Sequence, residues 1–269
     1  MKTVGICRFS YQGKGGFKLG IDDPPALAAF LYDEVRMEER FRLFEAITLP
    51  CIAAQTDPDF TFLIVTGVWF PRHYLERLKA LTADIPQCVI RQYPPRPHRK
   101  IMAKAINDWR GQPDGPCLQF RLDDDDAMAL NFVERFKQAA HGLGAITAQH
   151  SSVAVDFNQG YVFTAGAKGV KLWPYHYPYS AIALGMIVQA GSDDTIMSHG
   201  HQNLWKTMPT LTLTGDDMMM RGHNDFNDSR TEGKGNTFDY QPMDAEKAAH
   251  IRATFGIDEA HVRDVFSRP

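Results

Sequence analysis

At 269 residues the chain sits near the upper limit of what one hydrophobic core serves, so one large domain or two tightly fused halves is expected. A composition 44% hydrophobic and 23% charged excludes a mainly disordered or fibrous chain. The formal net charge of −3 gives no overall nucleic-acid footprint, so an anionic ligand has to be held locally, by a metal or by a few arginines and lysines.

Residues 3–9 read as a first strand ending in Cys7-Arg8-Phe9, and they run into a loop, 10–16, whose glycines allow tight turns and close approach of a ligand. The loop has neither the lysine spacing of a Walker motif nor the glycine spacing of a dinucleotide fingerprint. Arg8, at the outgoing end of an apolar strand, suits a phosphate or nucleotide contact, or a surface ion pair. Pro24-Pro25 can start or break a helix, and residues 37–54 carry Phe41, Phe44, Ile47 and Ile52 at helical spacing, with Pro50 near the exit. A compact apolar strand over 60–66 closes at Gly67, a helix over 71–81 begins with proline, and 87–93 is a further strand. The basic loop 94–100 leads into a helix over 101–109 and offers Arg96, His98, Arg99 and Lys100 to phosphate, sugar or solvent.

The next apolar strand, 117–122, opens into Asp123-Asp124-Asp125-Asp126. Four adjacent carboxylates repel one another and need water, donors or a bound cation to compensate them. Mg²⁺ and Mn²⁺ prefer oxygen ligands, and Mg²⁺ usually takes one or two carboxylates and fills its shell with water and substrate phosphate. A solvated acidic turn or helix N-terminus is the plainer reading. Residues 127–140 have helical spacing in Met128, Phe132, Val133 and Phe136, so the aspartates stand at a strand's carboxyl end, where open α/β sheets bind ligands. Four strand-helix alternations within the first 140 residues predict a parallel, doubly wound sheet.

The pattern changes after Gly144. Short strands are expected over 145–150, 152–157 and 161–163, followed by a segment, 166–180, rich in Tyr, Trp, Pro and Gly. Within it, residues 173–179 read as a proline-stiffened loop presenting rings to sugar, to a partner or to the core. A strand over 181–188 precedes Asp193, Asp194, His199 and His201, whose His-x-His spacing is by itself a weak zinc signal. Asp216 and Asp217 come before Arg221, His223 and Asn224, which supply phosphate donors and a nitrogen ligand. Helical patterns over 245–255 and 258–266 suggest a terminal packing element or interaction face. Cys7, Cys51, Cys88 and Cys117 form no Cys-x-x-Cys pair and suit buried free thiols. With no sustained apolar leader in residues 1–10 and no run of about 18 to 20 apolar residues, a cytoplasmic protein is expected, peripheral contact with the inner membrane face being compatible.

Cys7-Arg8-Phe9, the run from Phe41 to Thr56 followed by Asp59-Phe60, the stretch from Arg121 to Ala127, and the late Arg221-Gly222-His223-Asn224 together resemble the rhamnosyltransferase-like glycosyltransferases, over residues 3–230. The resemblance implies an α/β fold of GT-A type, with a Rossmann-like, mostly parallel sheet, helices on both faces and a mixed β and loop half. Within one domain, residues 1–142 would bind the nucleotide sugar, and 143–269, with the C-terminal helical segment, the acceptor. It further implies a nucleotide-diphosphate sugar donor and Mn²⁺ or Mg²⁺ at an Asp-x-Asp motif. Carried onto this chain, the metal set is Asp123, Asp125, Asp126 and His223, and the nucleotide-sugar contacts are Arg8, Arg121, Asp123, Asp124, Arg221 and Asn224. The frame stays open, because Asp124 and Asp126 satisfy the same spacing. Asp193 or Asp194 would be the catalytic base of an inverting transfer, with Asp216 and Asp217 as competitors. The acceptor would be a glycan, glycolipid or small molecule, with no nucleic-acid partner, and rhamnose as the sugar rests on the family's name. Two other readings use the same residues: a metal-dependent phosphoester hydrolase in which the carboxylates and His223 activate water, and a noncatalytic carbohydrate-binding protein holding Ca²⁺.

Overall fold

A computed structural model describes residues 1–15, 21, 23–112, 114–224 and 238–268. Gly16 of the first loop, and the end of the resemblance at 225–230, lie outside the described residues. The first half alternates as its periodicity requires. β1 (Lys2–Arg8) is followed by α1 (Pro24–Leu31), α2 (Glu34–Leu43), a π-helical segment (Phe44–Thr48) and α3 (Leu49–Ala53), then β2 (Thr61–Gly67), α4 (Arg72–Thr82), β3 (Cys88–Tyr93), α5 (His98–Arg110) and β4 (Cys117–Arg121). Asp33 caps α2 by accepting from the Arg36 N–H at 3.1 Å, so the helix starts before the predicted residue 37. Pro50 has no N–H to donate, and the helix widens into the π-helical segment just ahead of it.

The remaining elements are β5 (Ala127–Met128), α6 (Phe132–Gly142), α7 (Gly144–Thr147), β6 (Ser152–Phe157), β7 (Gln159–Gly166), β8 (Gly169–His176), β9 (Leu184–Val188), a 3₁₀ turn (His201–Lys206), β10 (Thr210–Leu213), β11 (Met219–Gly222), β12 (Gln241–Pro242), α8 (Ala245–Phe255) and α9 (Glu259–Ser267). Three expectations are corrected. Residues 127–128 form a strand paired with β11, not the start of a helix. The apolar residues after Gly144 form a helical turn, as short apolar runs can, where a strand was expected. The aromatic segment is mostly strand: β8 pairs antiparallel with β7 from Gly169 to His176, and Pro174 is tolerated because β12 covers only Lys171 and Leu172 on the other side.

Among the described residues seven strands form the main sheet in the order β10-β6-β9-β4-β1-β2-β3, with β9 antiparallel to both neighbours and the other pairs parallel. A five-stranded sheet, β12-β8-β7-β11-β5, packs beside it. This is the expected α/β arrangement, a mostly parallel sheet with a mixed sheet beside it. Because β6, β9 and β10 complete the sheet begun by β1 to β4, the two halves of the chain share one core. Alternation sorts the side chains onto two faces. Phe62, Ile64, Leu118 and Phe120 pack under α3, α4 and α6, while Val4, Ile6, Leu63 and Val65 pack against α5, so helices cover both faces. No helix among the described residues is long and apolar enough to cross a membrane. β1, β2 and β3 step toward one edge while β4 lies on the other side of β1, so the strand order reverses between β1 and β4. The carboxyl ends of that pair form the crevice where open α/β sheets bind ligands.

Candidate functional site

Leu122 closes the β1–β4 ladder by donating its N–H to the Ile6 carbonyl at 3.1 Å, and the four aspartates turn out immediately beyond it. The turn is tight, with the Asp126 N–H reaching the Asp123 carbonyl at 3.3 Å, and it delivers the chain to β5. Its charge is compensated from within. Arg40, buried on α2, grips both oxygens of Asp124 with Nε and Nη2, and its Nη1 reaches Asp125 Oδ2 at 3.1 Å. Asp126 is buried and accepts the Gly222 N–H at 2.8 Å; burial, then the charges of Asp125 and Asp123, push its carboxyl well above the ordinary range. Asp123 differs, with a side chain one-third exposed and Arg121 Nη2 at 3.2 Å. Burial opposes its ionisation, but Arg121, Arg8 and Arg40 outweigh that and hold the carboxyl down at about 2.

β11 brings the late motif against this turn. Glycine is required at 222, where a Cβ would stand 2.3 Å from the Asp125 carbonyl oxygen. Two residues on, Asn224 Nδ2 donates to Asp125 Oδ2 at 2.7 Å. Arg221 acts electrostatically on Asp126 and on Tyr175. His223 lies among aromatic rings, its Nδ1 2.6 Å from the Tyr240 hydroxyl and its ring centroid 5.3 Å from that of Phe238. Tyr175 stacks on Tyr177 at 5.4 Å and meets Phe238 edge-on, forming an aromatic wall beside Arg221. Arg8, Arg121, Asp123, Asp124, Asp125, Asp126, Arg221, His223 and Asn224 are thus gathered around one turn. Among the described residues no three His, Cys, Asp or Glu side chains ring a point closely enough to hold an ion by themselves.

The aspartates expected to act as base are not brought there. β9 runs antiparallel to β4 with Val188 opposite Cys117, so the residues after it leave at the amino end of β4. Asp193 offers its carbonyl to Asn107 at the end of α5, and Asp194 pairs with His199 at 2.9 Å and accepts from Ser152 Oγ. His199 and His201 therefore do not converge, since His201 is bonded to the Tyr179 carbonyl. Asp216 pairs with Arg135, and Asp217 with Tyr161, Gln159 and His250, at the far end of β11. In the basic loop, His98 is pressed against Gly13 and feels Arg8, Arg99 and Arg121; burial first, then those charges, lower it to about 4.

The sequence pattern of the family described as "Putative rhamnosyl transferase" matches residues 2–236. The chain belongs to that family. No curated protein matches it by sequence. Among solved structures it is similar to residues 1–349 of S. aureus TarS, at 12% identity and a TM-score of 0.43, covering 82% of this chain and 60% of that one. The same TarS fragment in complex with UDP-GlcNAc aligns at 12% identity and a TM-score of 0.42, over 99% of this chain and 71% of that one. A "putative nucleotide-diphospho-sugar transferase" from Desulfovibrio desulfuricans G20 aligns at 11% identity and a TM-score of 0.36, over 84% and 83%.

For this member of the rhamnosyl transferase family, the structure adds residues that periodicity did not single out. Gln12, Tyr32 and Thr66 are largely buried, and the Gln12 amide oxygen and nitrogen, the Tyr32 hydroxyl and the Thr66 hydroxyl have no hydrogen-bond partner among the described residues. The Tyr32 and Gln12 groups converge above Gly67, the residue after Thr66, where a Cβ would stand 3.1 Å from the Tyr32 hydroxyl and 3.6 Å from Gln12 Oε1. Buried polar atoms are ordinarily satisfied, so a group of orphans at the carboxyl ends of β1 and β2 marks space for a polar ligand or water. Their only sequence signals were a glycine-rich loop of weak motif value and a Thr-Gly strand end. Arg40 likewise carries no sequence signal, because an arginine on a charged helix reads as solvated.

Proposed function

We propose that this protein is a glycosyltransferase that takes a sugar from a nucleotide-diphosphate donor and uses a divalent metal held at Asp123 and Asp125. The observation that supports this best is the division of labour in the acidic turn. Asp124 gives both oxygens to Arg40 and Asp126 is held by Gly222, whereas Asp125 meets Arg40 and Asn224 through the one oxygen Oδ2 and Asp123 stays one-third exposed among Arg8, Arg121 and Arg40. That pattern favours the Asp123–Asp125 frame over Asp124–Asp126. Two carboxylates fit Mg²⁺ or Mn²⁺, which complete their shells with water and donor phosphate, and His223 is the nearby nitrogen candidate.

When bound, such a cation would offset charge gathering on the nucleoside-diphosphate leaving group. The chain's own residues supply the rest. Arg8, Arg121 and Arg221 offer fork-shaped donors to the diphosphate, and Asn224 fixes Asp125. The orphaned groups of Gln12, Tyr32 and Thr66 suit the hydrogen-bonding edge of a nucleobase. Tyr175, Tyr177 and Phe238 offer ring faces to the sugar of the donor or of a glycan, glycolipid or small-molecule acceptor. Rhamnose as the transferred sugar is supported by the family description alone.

Thermal-shift titration of UDP, GDP and dTDP, each with and without Mn²⁺, tests the reading on the wild type, Asp123→Asn and Asp125→Ala. One nucleotide should stabilise the wild type only with metal, by about 2.7 kcal/mol at a hundredfold excess over Kd, and neither variant should respond. If no nucleotide stabilises the wild type and it instead hydrolyses bis-p-nitrophenyl phosphate, the protein is a phosphoester hydrolase.

A further inference from the structure

Beyond β9 the chain crosses one face of the main sheet from its amino edge to its carboxyl edge. At the amino edge the Ser192 and Asp193 carbonyls accept from Arg110 and Asn107, near the end of α5. Midway, the Ile196 N–H donates to Gln119 Oε1 on β4 at 3.0 Å. At the carboxyl edge Gly200 arrives beside the start of α5, with Arg99 Nη2 3.9 Å from where its Cβ would stand. The crossing leaves Asp193 and Asp194 at the wrong edge for chemistry at the acidic turn and delivers His201 to the right one.

We propose that His201 is the general base of the transfer, its Nε2 taking the proton of the acceptor hydroxyl. The inference rests on the glycosyltransferase reading and adds a residue to it. His201 Nδ1 lies 2.6 Å from the Tyr179 carbonyl oxygen. A carbonyl only accepts, so Nδ1 carries the hydrogen and Nε2 is left with its lone pair. The carbonyl that sets this tautomer is itself fixed: Tyr179 holds a left-handed backbone, φ +57°, and donates its N–H to the buried Asp156 at 3.0 Å. Left-handed backbone at a bulky residue persists only where its surroundings impose it, and such positions cluster at functional sites.

The charges around the imidazole agree with that role. Burial lowers its pKa from 6.5, Arg121 at the end of β4 and Arg221 on β11 lower it further, and the Tyr179 carbonyl and Asp123 pull the other way without prevailing. The ring is therefore neutral at neutral pH. The same groups place it at the crevice, since Arg121, Arg221 and Asp123 are the side chains gathered around the acidic turn. In the step itself the acceptor oxygen gives its proton to Nε2 and forms a bond to the anomeric carbon. The bond from that carbon to the diphosphate oxygen breaks, and its electron pair leaves with the nucleoside diphosphate. His201 then releases the proton to water.

The test pairs a spectrum with kinetics. Long-range ¹H–¹⁵N spectra of the imidazoles, assigned with His201→Asn, should show His201 as the neutral Nδ1–H tautomer from pH 6.5 to 8. An imidazolium or an Nε2–H tautomer there overturns the proposal. Turnover of UDP-, GDP- and dTDP-hexoses with methyl hexosides, followed by nucleoside diphosphate release, should fall 10²- to 10⁴-fold in kcat in His201→Gln and His201→Asn. Nucleotide binding should stay unchanged, and the acid limb of the wild-type pH profile should be lost. A variant within threefold of the wild type, or one keeping the acid limb, overturns the assignment while leaving glycosyl transfer intact. A wild type that binds no nucleotide and turns over no donor removes the transfer reading and this proposal together.

Discussion

Removing the Arg40 guanidinium would leave the buried carboxylates of Asp124 and Asp125 side by side without the cation they share, with the Asn224 amide still donating to Asp125. Breaking a buried pair from one side costs about 3–5 kcal/mol, so Arg40→Met should lose that much in urea denaturation. Arg40→Lys keeps the charge without the fork that spans two aspartates and should fall between. Adding Asp124→Leu to Arg40→Met should restore part of the loss, because a buried pair replaced by apolar groups is often near neutral. Asp156 gives a pH prediction. Burial raises it to about 6 against the opposing bonds from the Tyr179 N–H and Thr212 Oγ1. The folded protein then holds a proton that the unfolded chain releases near 3.8, so the stability linked to Asp156 is present below pH 4 and is lost as pH rises through about 6. Asp156→Asn should therefore gain about 2–3 kcal/mol on wild type between pH 4 and pH 7. Asp126 shifts in the same direction in both proteins and cancels from the comparison. At this scale the sequence announced the problem, four adjacent carboxylates, but not its solution, because Arg40 is 84 positions away from Asp124 and nothing local marks it as buried.

Elements were legible where a period ran long enough to be decisive. The strands and helices up to β4 follow their apolar spacing, and with them the placing of the acidic run at a sheet's carboxyl end. The errors fall where pairing overrides local pattern. Ala127 and Met128 continue the apolar spacing of α6 yet pair with β11, whose position depends on contacts about 90 residues further along the chain. The aromatic segment reads as a loop because prolines punctuate it, but Pro174 falls on the stretch of β8 that β12 leaves uncovered, where a strand accepts it. Asp193 and Asp194 follow a strand in the sequence, and only the antiparallel register of β9 reveals which edge that strand leaves them on. The joint that matters most at this scale is β11 against the acidic turn. Gly222→Ala would drive a Cβ to 2.3 Å from the Asp125 carbonyl, which is backbone and cannot swing aside. Either β11 or the turn has to move, breaking the Gly222 to Asp126 bond and shifting Asn224 off Asp125. The variant should lose about 1–3 kcal/mol, typical of overpacking, and should lose nucleotide-induced stabilisation altogether. Unchanged stabilisation by the nucleotide that binds the wild type would mean that the late motif does not shape the site.

For the molecule as a whole, the composition gave the right class and the alternation gave the right sheet, and β6, β9 and β10 join the second part of the chain to the sheet of β1 to β4. The C-terminal helices raise the issue of where the fold ends. The family's sequence pattern stops at residue 236, yet α8 and α9 lie beyond it and reach the center of the larger core. Ile251, Phe255, Val262 and Val265 are at most 1% exposed. The Leu130 N–H, on the approach to α6, donates to the Thr254 carbonyl at 2.7 Å, so the end of α8 also braces the segment that follows the acidic turn. Helices that merely decorated a finished domain would leave these apolar groups half exposed. Truncation after Met243 should therefore abolish cooperative thermal unfolding, and the graded version, Phe255→Ala in the full chain, should cost about 3–5 kcal/mol by the cavity it leaves. If the truncated chain still unfolds cooperatively and is still stabilised by the nucleotide that binds the wild type, the helices are an appended surface, and the folding unit is the one that the family pattern outlines.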